Sequence, residues 1–406
     1  MSAEAVQKGD GAPTEEGRDW RGLLREITES SWLVVLLAVV ASLVIGAILI
    51  IFADPDVDAA AKYFFARPMD TISAAWNAVF SAYDAMFRGS VWNYTADSFS
   101  QQLRPLTETL TIATPLIFAG LGLGMGFRAG LFNIGAQGQI IMGAMLGGWV
   151  GFAWHLPAGL HLLVAVLATI LGGALWGFIP GLLKAKTGAH EVIVTIMLNY
   201  VAANLLAYAL STDAFQRPGS DNPQSPIIDT TAQYPLILGS SYRLHLGFLL
   251  AIAAAFGVWW LMERSTWGFR FRAVGANPRA ARTAGMNVSF GIIAVMTIAG
   301  ALAGLAGSAQ ILGTEKTLTA GIAGSFGFDA ITVALLGRSR PFGTVLAGLL
   351  FGAFRASGPT LQVAAGLPVD IVLILQSLIV LFIAAPPLVR FLFRLPTPTN
   401  EKVVTA

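Results

Sequence analysis

Long apolar runs separated by short polar segments dominate the chain, and their lengths set its architecture. A helix rises about 1.5 Å per residue, so about 20 apolar residues cross a hydrocarbon layer about 30 Å thick. By that measure the first half carries spans at Leu33–Phe52, Pro105–Phe127, Leu131–Ala153, Gly159–Leu183 and Glu191–Ser211. Leu244–Met262, Phe290–Leu312, Phe326–Leu336, Phe342–Gly358 and Asp370–Val389 follow, bringing the count to about ten. The pattern predicts an all-α polytopic membrane protein, with broken or re-entrant segments where polar residues and glycines interrupt the runs. An even number of spans puts both termini on one side of the membrane.

The polar stretches divide the chain further. Residues 1–31 form a polar N-terminal segment, within which Trp20–Ile27 predicts a short interfacial helix; 32–390 is the membrane body and 391–406 a tail. Asp54–Arg104 reads as an external excursion with amphipathic helical pieces, its aromatics Phe64, Trp76, Phe80 and Phe87 serving as packing and interface anchors. The Pro- and Ser-containing stretch Asp213–Arg243 is a second external segment. It is either a docking surface for an external partner or a solvated connector. A weak echo links Gly130–Gly151 to Gly327–Gly352, since both enter the membrane with polar residues and end in glycine-rich spans. That echo points to an internal repeat.

Composition agrees with this architecture. The chain is 55% hydrophobic and 12% charged, with a mean hydropathy of +0.68, whereas soluble domains carry about 25% charged residues. Its partner is therefore the lipid bilayer. The 44 glycines suit helices that approach closely in a bundle. With no cysteine there is no disulfide, thiolate metal site or cysteine nucleophile. A net charge of +2 gives no reason to invoke nucleic acid. Of the 25 Lys and Arg residues, 17 fall on the side that holds the N-terminus. The positive-inside rule makes that side cytoplasmic, so both termini and the loop 263–289 are inside.

Candidate chemistry is sparse. No GxxxxGK[ST] phosphate loop, catalytic constellation or metal-ligand motif occurs, so the chain is read as a non-enzyme that binds no cofactor itself. His155, His161, His190 and His245 lie near span ends and read as structural. The polar residues at membrane depth say more. Phe127–Gln139 places Asn133, Gln137 and Gln139 among glycines in an apolar setting, and Asn199 lies in the fifth span. Amides both donate and accept, which suits a neutral polar solute such as a sugar or a nucleoside. The same groups also serve to hold helices together, and polarity alone leaves both readings open. Glu108, Glu191 and Asp329 sit near span ends, which disfavours a proton relay.

The loop Glu263–Asn287 is basic and carries a short helix with both ends marked. Asn277 suits an N-cap, Pro278 the first helical position, and Gly285 the left-handed residue after the last turn. Arg279, Arg282 and Thr283 share one face, and Ala280, Ala281 and Ala284 form a smooth opposing surface. A membrane-surface helix would present bulky apolar residues instead, so this one is read as made for a groove in another protein, against the alternative of a solvated loop.

At these residues a resemblance enters. Gly268–Asn287 resembles the cytoplasmic coupling loop of ABC importer permeases for sugars, nucleosides and branched-chain amino acids, through Ala273, Val274, Gly275, Asn277, Ala280, Ala281 and Gly285. Phe127–Gln139, His190–Leu205 and Gly327–Gly343 resemble the nucleoside branch, which works with basic-membrane-lipoprotein-type binding proteins. His190 departs from the asparagine of that pattern and receives no role. The resemblance implies a permease subunit importing nucleosides, with a simple sugar such as ribose, or an ion-coupled secondary transporter, as alternatives. It implies a second homologous permease, a cytoplasmic ATP-binding subunit using ATP and Mg, and an external lipid-anchored binding protein, all at a bacterial cell membrane. It places Phe132, Asn133, Gln137 and Gln139 along the solute path, and Asn199 and Asp329 join them as polar residues near membrane depth. It places Asn277, Arg279, Ala281 and Gly285 in ATPase coupling, to which Gly275 of the same motif and Arg282 of the basic face are added.

Overall fold

The computed structural model describes residues 31–368 and 370–395. The predicted helix Trp20–Ile27 lies outside them. Among the described residues the fold is all-α. Four helices form the N-terminal third: α1 (Ser31–Ala53), α2 (Pro55–Ala61), α3 (Pro68–Ser90) and α4 (Phe99–Arg128). The middle holds α5 (Ala136–Ala153), α6 (Leu160–Thr187), α7 (Glu191–Ala209), α8 (Gly247–Trp259), α9 (Thr266–Ala276) and α10 (Pro278–Thr283). The last third holds α11 (Val288–Ser308), α12 (Phe326–Leu336), α13 (Pro341–Ala365), α14 (Asp370–Ala384) and α15 (Pro386–Leu392). Widened π turns prolong α8 to Arg264 and α11 to Thr314.

Six of these helices are long and apolar enough to cross a membrane: α1, α4, α6, α7, and α8 and α11 with their π turns. Helices α5 and α13 have the length, at 18 and 25 residues, but glycine and polar residues dilute their apolar character. The predicted span Phe326–Leu336 does not cross as a helix. It is an 11-residue helix, α12, which reaches only about 16 Å. The irregular chain before it is nonetheless buried at Leu318, Ile322 and Ala323. A broken segment thus replaces a regular span. Non-helical backbone at that depth is tolerated only inside protein.

Helix α4 is the hub. It is buried from Thr107 to Gly126 almost without interruption, and α8, α11, α12 and α13 pack around it. Glycines set the closest approaches elsewhere. A Cβ on Gly173 of α6 would stand 2.2 Å from the Gly300 carbonyl of α11, and one on Gly300 would stand 2.3 Å from the Gly173 carbonyl. These two helices meet backbone to backbone, the geometry small residues permit in membranes.

Two polar stretches differ from expectation in part. In Asp54–Arg104 the helix α3 turns Ala78, Ala82, Ala85 and Gly89 toward the bundle, and Gly89 lies against Ser357 of α13. Trp76, Phe80 and Phe87 are exposed, the position of interface anchors rather than of packing on the bundle. Small residues take the contact because α13 comes too close for rings. The stretch 213–246 packs on the bundle at its centre while its flanks are exposed. Its backbone pairs with the ends of α5 and α11, Asp229 N–H donating to Gly151 O at 3.0 Å and Tyr234 N–H to Leu312 O at 2.9 Å. Ile228 and His245 are buried beneath it, and the Tyr234 hydroxyl meets Ser308 of α11 at 2.9 Å. Pairing of Leu236 with His245 also moves the start of α8 from Leu244 to Gly247. Finally, Gly130–Gly151 is a break followed by one helix, whereas Gly327–Gly352 is a helix, a tight turn with Arg338 and Ser339 at positive φ, and a second helix.

The α6–α11 seam has a direct test. Gly300→Val should lower the thermal unfolding midpoint in detergent, by an overpacking cost of about 1–3 kcal/mol or more. Gly257→Val, on an open face of α8 with nothing near its Cβ, should leave the midpoint unchanged.

Candidate functional site

Two groups of predicted residues come together in the structure, one at the break between α4 and α5 and one around α10. At the break the chain leaves the helix after Arg128, turns at Gly130 (φ +70°) and re-enters at Ala136. Its freed backbone groups find side-chain partners. Asn133 Oδ1 accepts from Gly135 N–H at 2.8 Å, and Asn133 Nδ2 donates to Gln139 Oε1 at 3.1 Å. From α7, Asn199 Oδ1 accepts from Gly138 N–H at 2.8 Å while its Nδ2 donates to Ile134 O at 2.9 Å. Thr195 takes the Ile134 N–H at 3.3 Å. Asn133 and Gln139 are each only 1% exposed, so their polar atoms face the break and each other.

Gln137 reaches the second break. Its Nε2 donates to Gly324 O at 2.6 Å and its Oε1 accepts from Gly327 N–H at 2.9 Å, which ties the start of α5 to the start of α12. One turn along α12, Asp329 pairs with Arg355 of α13 at 2.8 Å and accepts from the Ser325 hydroxyl at 3.1 Å. The Arg355 guanidinium also bonds Ser325 and lies over the Phe326 ring at 4.7 Å. Phe132, on the other side of the break, is exposed and stacks on Phe127 with centroids 4.7 Å apart. The Asp329–Arg355 pair was missed from sequence, although a lone arginine inside the apolar run 342–358 signals a buried partner.

Around α10 the local geometry follows the sequence closely. Asn277 Oδ1 accepts from the N–H groups of Arg279 and Ala280, both at 3.0 Å, and Gly285 has φ +78°. Gly285 N–H bonds Arg282 O and Met286 N–H bonds Ala281 O, each at 3.0 Å, which closes the helix. Arg279, Arg282, Thr283, Ala280 and Ala284 are exposed. Ala281 is not on that surface. It is buried against Val274 and Val288 and anchors α10 to α9 and α11. Gly275 also faces inward, against Ala129. A further ion pair was not foreseen: Arg128 meets Glu263 at 2.6 Å, with Arg272 at 3.8 Å from the same carboxylate.

The amide network yields a stability test. Asn199→Ala leaves the Gly138 N–H and the Ile134 carbonyl unpaired inside the bundle, which should cost about 1–3 kcal/mol per unsatisfied group. The thermal midpoint in detergent should fall accordingly, and Asn204→Ala, at an exposed position on the same helix, should not move it.

Comparison with known proteins accords with this geometry. The family model described as branched-chain amino acid transport system / permease component matches residues 106–384. The guanosine ABC transporter permease protein NupP of Bacillus subtilis is 37% identical over 370 residues, 89% of this chain and 95% of that protein. The glucose ABC transporter permease protein TsgB13 of Haloferax volcanii is 39% identical over 68% of this chain and 75% of its own length. The nucleoside ABC transporter permease protein NupB of Lactococcus lactis is 34% identical over 77% of this chain and 87% of its own length. No solved structure matches. With the family model covering well over half its length, and with a bundle of membrane-crossing helices to match, the chain belongs to the ABC transporter permease components, a multi-pass membrane family of transport subunits rather than enzymes.

Proposed function

We propose that this chain is the permease of an ATP-driven importer of nucleosides, purine nucleosides foremost. The observation that carries the reading is the match to a guanosine permease along 95% of that protein's length. A second nucleoside permease among the relatives supports it. A sugar substrate is the second reading, favoured by the 39% identity to a glucose permease, which extends over less of both chains.

On this reading ATP and Mg are used by a separate cytoplasmic subunit. The exposed basic face of α10, Arg279 and Arg282, is where that subunit docks, with Asn277 and Gly285 fixing the helix ends and Ala281 fixing the helix to the bundle. An external lipid-anchored binding protein delivers the solute, and the capped outer surface formed by 213–246 supports its docking there. A second, similar permease completes the pathway; NupP and NupQ, two guanosine permeases of one organism, both resemble this chain. The complex sits in a bacterial cell membrane with both ends of this chain cytoplasmic. Transport follows alternating access, in which ATP-driven closure of the ATPase moves α10 and the bundle answers. Within the bundle, solute contact falls to Phe132, Gln137 and Asp329, and Asn133, Gln139 and Asn199 hold the shape of the passage.

Two measurements decide between these readings. In cells producing the complete complex, excess unlabelled inosine or adenosine should suppress uptake of labelled guanosine, while glucose and ribose at the same excess should not. Suppression by the sugars alone would replace the nucleoside with a sugar. Changing Arg279 and Arg282 together to Glu sets like charge against a surface selected for cations, at a cost of several kcal/mol. Uptake should fall to background and the ATPase should no longer copurify, with membrane insertion intact. Retention of the ATPase would remove α10 from the docking role.

A further inference from the structure

The ATPase-facing helix α10 and the amide-held break are linked by direct contacts, and the link is backbone on backbone. Ala281 of α10 rests on Val274 in the last turn of α9. The next residue, Gly275, is pressed against the turn that follows α4. A Cβ placed on Gly275 would stand 2.5 Å from the Ala129 carbonyl carbon and 2.8 Å from Arg128 O. Gly130 answers from the other side, where a Cβ would stand 3.0 Å from Gly275 Cα. The positive φ of Gly130 adds a second reason for glycine there. The Arg128–Glu263 pair at 2.6 Å braces the same contact, since Glu263 lies in the π turn just before α9.

We propose that this contact is the joint through which α10 moves the broken segment: Gly275 against Ala129 and Gly130, held in register by Arg128 and Glu263. The proposal rests on α10 being the ATPase dock. A tightly packed contact with no flexible side chain between its partners passes displacement on with little loss. Downstream, Leu131 N–H is tied to Gly126 O at 2.9 Å, and two residues further the Asn133 clamp begins. Gln137 then carries the motion to Gly324 and Gly327 at the head of α12. Gly275 and Arg128 are positioning residues, which touch neither solute nor ATPase. Glu263 holds Arg128 at 2.6 Å and Arg272 at 3.8 Å, so what sets the register is a cation at position 128 facing that carboxylate.

The test uses the whole complex, with its ATPase and binding protein, in proteoliposomes, and reads ATP hydrolysis and guanosine uptake together. Gly275→Ala inserts a methyl into the joint. The ATPase should still copurify and still hydrolyse, while uptake falls by about tenfold or more, a coupling loss within the range typical of linked sites. Arg128→Glu should uncouple in the same way, whereas Arg128→Lys, which keeps a cation facing Glu263, should retain uptake. Uptake and hydrolysis declining in proportion would overturn the proposal, as would unchanged uptake, loss of the ATPase from the Gly275→Ala complex, or Arg128→Lys no better than Arg128→Glu. Failure of the dock itself reads differently: the ATPase would remain bound after Arg279 and Arg282 are changed to Glu, whatever the joint variants do.

Discussion

Backbone that leaves a helix inside a membrane must find hydrogen bonds within the protein, and this requirement organises the molecule. The chain breaks helix twice at depth, at 129–135 and before Phe326. Each break frees backbone N–H and carbonyl groups from the helical ladder. Asn133, Gln137, Gln139 and Asn199 are placed to satisfy them. Because Gln137 serves the second break from the first, the two irregular segments stand or fall together. The bridge fixes the start of α12, one turn before the Asp329–Arg355 pair.

How much of this was legible in the sequence depended on the range of the interaction. The α10 caps are local, and Asn277 and Gly285 behave as their residue types predict. Six of the predicted spans were legible from run length, because a run of about 20 apolar residues is a property of composition, whereas Phe326–Leu336 and Asp370–Val389 form shorter helices. Their ends were less so. Leu131 to Gly135 is apolar enough to extend a span, yet it is irregular because distant amides bond its backbone. Leu244 belongs to the stretch before α8 because Leu236 and His245 pair across it. For the aromatics of α3, helical spacing shows that a face exists, not which face a glycine-bearing neighbour will approach.

The least legible features join residues far apart in the chain. Gln137 and Gly324 are separated by 187 positions, and nothing local to either marks the other. Arg128 and Glu263 form a comparable case, each reading alone as one more charge at a span end. In the amide-rich segment the polarity was read correctly and its direction was not fixed. Asparagines that suit a solute equally suit an orphaned peptide group, and only the fold shows which is near.

The seam between α6 and α11 carries a consequence of a different kind. Where two side chains meet, an enlargement on one helix can be repaired by a reduction on the other. At Gly173 and Gly300 the neighbour of each is a carbonyl oxygen, and a carbonyl cannot be made smaller. No second-site change at the contact restores the fit, so any lineage carrying this seam must carry it whole.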